Sequence, residues 1–186
     1  MTRFPKAYAD LVARLRVPSG FLLLFLFVWL SRPSVEAILA GLPVSILGLG
    51  IRAWAAGHLA KNETLATAGP YAFTRNPLYL GTALVAAGLL IGARSWWLAA
   101  GFGAIFVLVY FPVIELESQH LSQLFASYAA YCQRVPLLVP RLTPAGPVSG
   151  WRGRLYKKNQ EWKGLLAFAI ALAFLIAKAS LVGGQS

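Results

Sequence analysis

The 186-residue chain contains little charge and almost no cysteine or histidine, while 58% of it is hydrophobic. Its single cysteine, Cys132, excludes an internal disulfide. Its two histidines, His58 and His120, have no Cys, Asp or Glu cluster at ligand spacing, so the sequence predicts no metal site. A soluble domain of this length could not bury so much apolar surface. The composition therefore indicates a membrane protein.

Five apolar stretches are candidates for membrane-crossing helices, because a bilayer core takes roughly 17–25 apolar residues as helix. They cover Val17–Leu30, 35–59, 78–91, 95–114 and 165–181, and the first and third are short for a span. No small-residue cleavage site follows the first apolar run. We therefore expect residues 1–16 to be an amphipathic lead-in on the membrane rather than the start of a cleavable signal. The sequence thus predicts an all-α, polytopic integral membrane protein with about five transmembrane helices.

Acidic residues are also few, six against 17 Lys and Arg, for a net charge of +11. If the N-terminus is inside, 13 of the 17 basic residues fall on the cytoplasmic side, which is the positive-inside pattern. This distribution argues against nucleic acid as a partner. It places residues 61–76 and 115–163 on the cytoplasmic side. If the source is bacterial, the membrane is the inner membrane of the cell. We expect one basic cluster to lie on anionic lipid headgroups: Arg152, Arg154, Lys157, Lys158 and Lys163.

The chain shows no internal repeat and reads as a single domain. Residues 1–60 are expected to form a helical hairpin, 61–140 the core, and 141–186 a basic linker followed by the last span. Small residues in the second span would permit close approach by another helix: Gly41, Ser45, Gly48 and Gly50. Pro77 suits the first turn of the third span, with Asn76 as its N-cap. Residues 115–134 are too polar to span and have apolar side chains at helical spacing, which predicts an amphipathic helix.

Two motifs lie in these polar segments. Residues 69–81, GPYAFTRNPLYLG, resemble the G-x-Y-x-x-x-R-H-P-x-Y signature of the isoprenylcysteine carboxyl methyltransferases and the related membrane phospholipid methyltransferases. Residues 113–136, VIELESQHLSQLFASYAAYCQRVP, are similar to the acidic pair, aromatic stretch and V-P of the same family. The resemblance implies a membrane enzyme that transfers a methyl group from S-adenosyl-L-methionine. Its acceptor would be lipid or prenylated and would arrive from the bilayer at a cytoplasmic pocket.

The resemblance also implies roles for individual residues. It assigns the cofactor site to Thr64, Leu65, Ala66, Tyr71, Asn76, Pro77, Leu78, Tyr79 and Glu117. It assigns catalysis to Arg75, Asn76 and Glu117. Further residues could contact the acceptor: Arg52, His120 and Arg134. The ordinary alternatives are that Arg52 and Arg75 extend to lipid headgroups and that Glu117 is a solvated helix residue.

The chain departs from the family pattern at four positions. The family histidine before proline is Asn76, which cannot titrate and so cannot be a general base. Ser118 breaks the acidic pair, and Ala126 replaces a glycine. Val113 stands where the carboxyl methyltransferases have an arginine that contacts the substrate carboxylate. These departures make carboxyl methylation less secure than methylation itself.

Three functions remain open at this stage. The first is carboxyl O-methylation of an isoprenylcysteine, the nearest family label. The second is N-methylation of a phospholipid amine such as phosphatidylethanolamine. The third is a scaffold or small transporter without catalysis, although a transporter should show polar residues at mid-span, and Arg52 is the only charge within a predicted span.

Overall fold

The computed structural model describes residues 6–183, and every regular element within that range is helical. The α-helices are α1 (Lys6–Leu30), α2 (Val35–Ala56), α3 (Pro77–Ala93), α4 (Trp96–Ile105), α5 (Phe111–Leu124), α6 (Tyr128–Arg134), α7 (Gly153–Lys158) and α8 (Trp162–Gly183). A 3₁₀ turn covers Gly69–Ala72, and a π-helical segment, Phe106–Tyr110, joins α4 to α5. The all-α prediction is confirmed.

Three helical stretches are long and apolar enough to cross a membrane: Val35–Ala56, Trp96–Leu124 and Trp162–Leu181. Two shorter apolar stretches, Val17–Leu30 and Pro77–Ala93, correspond to the predicted short spans. The crossing count of five therefore stays a prediction. The turn before α2 meets the turn after α3, where the backbone N–H of Arg32 donates to the carbonyl of Ala93 at 2.7 Å. At the opposite end α2 ends and α3 begins; we call it the site end.

The expected lead-in is not a separate element in the part that the structure describes, and its place on the membrane surface stays a prediction. Residues 6–16 form the first turns of α1 and continue without a break into its apolar half. The reason is packing, because Val12 is only 1% exposed and contacts Val109 and Val113. Residues 1–5 of the predicted lead-in lie outside the described range.

Small residues bring α2 and α3 into direct contact, as their spacing predicted. A Cβ placed on Gly48 would lie 2.6 Å from the carbonyl oxygen of Gly81, so neither helix leaves room for a side chain there. The hydroxyl of Ser45 donates to the carbonyl of Val85 at 3.0 Å. Gly50, by contrast, has nothing within 4 Å and takes no part in this contact.

The sequence predicted the fourth apolar run and the amphipathic helix as separate elements, and the structure corrects this prediction. The chain is helical from 96 to 124, and the break comes later, at 125–127, before α6. Pro112 lacks an N–H, so the carbonyl of Leu108 loses its ordinary helical donor and the backbone bulges into the π segment. The Tyr8 hydroxyl supplies a donor to Leu108 at 2.8 Å.

Residues 137–152, which we call the strap, run back from α6 along the loop that precedes α3. Backbone N–H groups of the loop and strap pair across this contact: Gly69 with the carbonyl of Pro147 at 2.8 Å, and Ala145 with that of Ala72 at 2.9 Å. The strap then reaches the end of α2, where the Trp151 indole donates to the carbonyl of Ala53 at 3.0 Å. The strap therefore ties α2 and the loop together without forming a regular element.

Candidate functional site

A cavity of about 840 Å³ lies at the site end. Its wall comes from α2, the loop 59–66, the 3₁₀ turn, α3, the π segment, α5 and α6. Twelve of the thirteen site residues named from the sequence line it: Arg52, Thr64, Leu65, Ala66, Tyr71, Arg75, Asn76, Pro77, Leu78, Tyr79, Glu117 and His120. The fold thus brings both motifs to one space, and the individual roles remain predictions.

The 3₁₀ turn holds the first part of the motif rigidly. Gly69 has φ +61°, a conformation that favours glycine, and a Cβ there would lie 2.6 Å from the His58 ring. Tyr71 is buried and its backbone carbonyl accepts a 2.7 Å hydrogen bond from the Tyr131 hydroxyl of α6. Burial raises the pKa of both tyrosines, so their phenols stay protonated and remain donors.

Arg75 reaches the cavity wall with few partners for its charge. One guanidinium nitrogen, Nη1, contacts the Cys132 sulfur at 2.8 Å, while Nε is buried without a hydrogen-bond partner. Among residues 6–183 no carboxylate pairs with this guanidinium. A half-buried guanidinium whose buried Nε has no partner favours an anionic or polar ligand.

Asn76 is at the N-cap position of α3, but its side chain does not cap the helix. Its Nδ2 donates instead to the carbonyl of Leu137 in the strap, at 2.9 Å. The buried Thr74 makes a parallel contact, its hydroxyl donating to the carbonyl of Leu138 at 3.0 Å. Asn76 therefore joins the cavity wall to the strap, and its side-chain donor is already bound in this contact.

Across the cavity, α3 and α5 form an acidic and aromatic corner. The Tyr79 hydroxyl donates to Glu117 Oε1 at 2.9 Å. The Tyr110 ring packs edge-to-face on the Tyr79 ring, with centroids 6.4 Å apart. His120, one helical turn after Glu117, also lines the wall. Carboxylate and aromatic faces together suit a positively charged ligand.

Arg52 forms an ion pair that the sequence did not predict. Its Nη2 contacts both carboxylate oxygens of Glu161, which lies just before α8, at 2.9 Å for Oε2. Its Nη1 donates to the Thr82 hydroxyl and, at 3.4 Å, to the carbonyl of Leu78. The two charged side chains are 24% and 10% exposed. Arg52 is thus neutralised within the wall rather than extended to headgroups.

Arg134 does not line the cavity. It is exposed at the end of α6, where its Nε donates to the carbonyl of Ala130 at 3.4 Å. Glu115 also lies outside the lining. Within residues 6–183 no three His, Cys, Asp or Glu side chains are grouped to hold a metal ion.

Sequence reasoning missed several lining residues and one supporting residue. Tyr110 and Thr82 line the wall and fall outside both motifs; the signal for Tyr110 was Pro112, which creates the π bulge. Glu161 was identifiable as the one acidic residue after Glu117, immediately before the last apolar run. Pairing it with Arg52 required the fold.

The comparison with protein-family models decides the relationship. The phospholipid methyltransferase model matches residues 15–128. The chain belongs to the phospholipid methyltransferase family. The matched region contains the first motif, Glu117 and His120, and it ends where α6 begins, so the strap and α8 lie beyond it. The protein is thus a member of a membrane methyltransferase family.

Curated relatives carry names from metal resistance. The chain is 36% identical over 125 residues to the cobalt-zinc-cadmium resistance protein CzcN of Cupriavidus metallidurans, covering 66% of this chain and 56% of the relative. It is 32% identical over 117 residues to the nickel-cobalt-cadmium resistance protein NccN of Alcaligenes xylosoxydans xylosoxydans, covering 62% and 54%. The matched part thus spans a little over half the length of these relatives. No solved structure matches the chain.

Proposed function

We propose that the protein transfers a methyl group from S-adenosyl-L-methionine to a lipid acceptor, in a multi-pass fold whose site end faces the cytoplasm. The observation that carries the proposal is that one cavity collects both motif segments of a methyltransferase family. Its volume of about 840 Å³ falls in the range of ligand sites, roughly 300–1,000 Å³. The charge distribution supports the orientation, because among the basic residues within 6–183 only Arg32, Arg94 and Lys178 lie toward the opposite end.

The residues present fit such a cofactor. S-adenosyl-L-methionine, when bound, supplies an electrophilic methyl group on a positively charged sulfur. Arg75, with its unpartnered Nε, is the side chain we assign to the methionine carboxylate. The corner formed by Glu117, Tyr79 and Tyr110 would favour positive charge. The chain's own contribution is then to position two reactants and exclude water.

The charges in the wall favour an amine acceptor over a carboxylate. Arg52 was a candidate partner for an acceptor carboxylate, but it is neutralised by Glu161. Val113, at the position of the family's substrate-binding arginine, is buried and apolar. An ammonium headgroup must lose a proton before its nitrogen attacks. The Glu117 carboxylate and the His120 imidazole, both in the wall, are the basic groups able to take it.

A carboxylate acceptor such as an isoprenylcysteine is the second candidate. The observation in its favour is the same buried Nε of Arg75, which could pair with an acceptor carboxylate if another group held the cofactor. The two candidates therefore differ in what Arg75 binds.

The test supplies the purified protein in nanodiscs with S-adenosyl-L-methionine labelled in its methyl group. One reaction contains phosphatidylethanolamine and another a farnesylated cysteine analogue. We expect base-stable label in the phospholipid headgroup. Base-labile label in the analogue would select the second candidate. If the wild-type protein, like the Glu117→Gln variant, left both acceptors unlabelled, both candidate functions would be contradicted.

A further inference from the structure

The segment that follows the family-matched region has charge of one sign. Between Glu117 and Glu161 the chain contains no acidic residue, whereas it contains six basic ones: Arg134, Arg141, Arg152, Arg154, Lys157 and Lys158. All six are exposed. Lys158 pairs with Glu63 of the loop. Arg152, Arg154 and Lys157 are exposed and the structure gives no ion pair for them, although Arg154 is near enough to Glu63 to interact with its charge.

The strap in the same segment also presents large apolar side chains. Leu142 is 99% exposed and Val139 is 77% exposed, with Arg141 between them. Trp151 is 52% exposed although its indole N–H is bound to the end of α2. The strap's backbone bonds to the loop hold these side chains outside the protein core. Exposed apolar and basic side chains in one segment are typical of a surface that rests on anionic lipid.

The strap lies beside the ends of the apolar helices. It contacts the last residues of α2 and the loop before α3, and α7 leads from it to the first residue of α8, Trp162, which is 50% exposed. Helices whose apolar stretches end at this level place their termini in the headgroup region, where tryptophan is favoured. The strap therefore lies at the same end of the molecule as these helix termini.

We propose that the strap and α7, residues 137–158, form an interfacial anchor for anionic lipid. Val139 and Leu142 enter the headgroup boundary, and Arg152, Arg154 and Lys157 neutralise lipid phosphates. Charge complementarity selects this occupant over a protein partner, since residues 137–158 contain five basic residues and no acidic one, and the ion pair with Glu63 of the loop involves Lys158 alone. The proposal concerns membrane contact alone and does not depend on the reaction.

The experiment uses the full chain with Cys132→Ser as background and Leu142→Cys carrying an environment-sensitive fluorophore. The protein is placed in nanodiscs of phosphatidylcholine, or of phosphatidylcholine with phosphatidylglycerol. Quenching by brominated acyl chains reports insertion, and quenching by acrylamide reports exposure to water. The charge variant is Arg152→Gln with Arg154→Gln. The matched control, Arg32→Gln with Arg94→Gln, removes two arginines at the opposite end.

We expect brominated lipid to quench the probe more strongly in anionic discs. The charge variant should lower the ratio of inserted to water-exposed probe by roughly tenfold, and the control should leave it unchanged. Arg152→Lys with Arg154→Lys should restore it, which distinguishes loss of charge from misfolding. A probe equally open to acrylamide in both kinds of disc would overturn the anchor. Equal insertion in both kinds, or capture of the surface by a second protein, would overturn the selection of anionic lipid.

Discussion

The loop and the strap meet along one line of hydrogen bonds, yet the sequence describes them very differently. The loop, 61–76, carries much of the family motif, and its side chains line the cavity. The strap carries no motif and lies outside the family-matched region. However, the strap provides the acceptors that fix Asn76 and Thr74. The comparison teaches that the residues with a recognisable pattern depend for their position on a segment that has none.

A second tie follows the strap. Asn159 donates from Nδ2 to the carbonyls of Ala56 and Leu59, both at 2.9 Å, which satisfies the end of α2. Glu161 then pairs with Arg52. The region after the family match therefore contacts the cavity wall at two places, through the strap and through Glu161 just before α8.

Breaking this second tie should give the largest effect. Glu161→Ala leaves a half-buried guanidinium without its carboxylate. We expect the free energy of unfolding to fall by about 2–4 kcal/mol, which lies between the losses typical of breaking exposed and buried ion pairs. Thermal unfolding in detergent measures it. The matched control is Glu63→Ala, which breaks the exposed pair with Lys158 and should leave the free energy of unfolding close to the wild-type value. Equal losses in the two variants would contradict the importance assigned to the Arg52 pair.

Releasing the strap should have a smaller effect. Thr74→Val keeps the shape of a buried side chain but removes its donor, and Asn76→Ala removes the neighbouring one. Each should lower stability by roughly 1–2 kcal/mol. Both variants should weaken cofactor binding in parallel with stability, because both act through the strap. If Asn76→Ala weakened binding while stability stayed at the wild-type value, Asn76 would contact the ligand instead.

The sequence predicted what depends on local pattern. Helical periodicity and apolar length located the main helices, and the position of Pro77 predicted the start of α3. Small residues in α2 predicted close approach by a neighbouring helix, which the structure identifies as α3. Twelve of the thirteen site residues named from the sequence line one cavity, and their roles stay predictions. These features are encoded by spacing along the chain, which a single sequence displays.

What the sequence could not show depends on distant pairing. Arg52 and Glu161 are 109 positions apart, and nothing local indicates that α8 begins beside α2. The strap has no periodicity, because its bonds are made by backbone groups that every residue carries. The π segment was missed since Pro112 permits either a kink or a bulge, and Tyr8 stabilises the bulge from another helix.

The central claim is that the cavity binds the methyl donor, and calorimetric binding of S-adenosylhomocysteine in nanodiscs tests it most directly. We expect wild type to bind with micromolar affinity, about −8 kcal/mol. Tyr79→Phe and Glu117→Ala should each weaken binding by roughly 1–3 kcal/mol, since each removes a partner of the contact in the wall. Gln133→Ala, an exposed change on α6 outside the cavity lining, should bind as wild type does. Absence of binding by the folded wild-type protein would contradict the account.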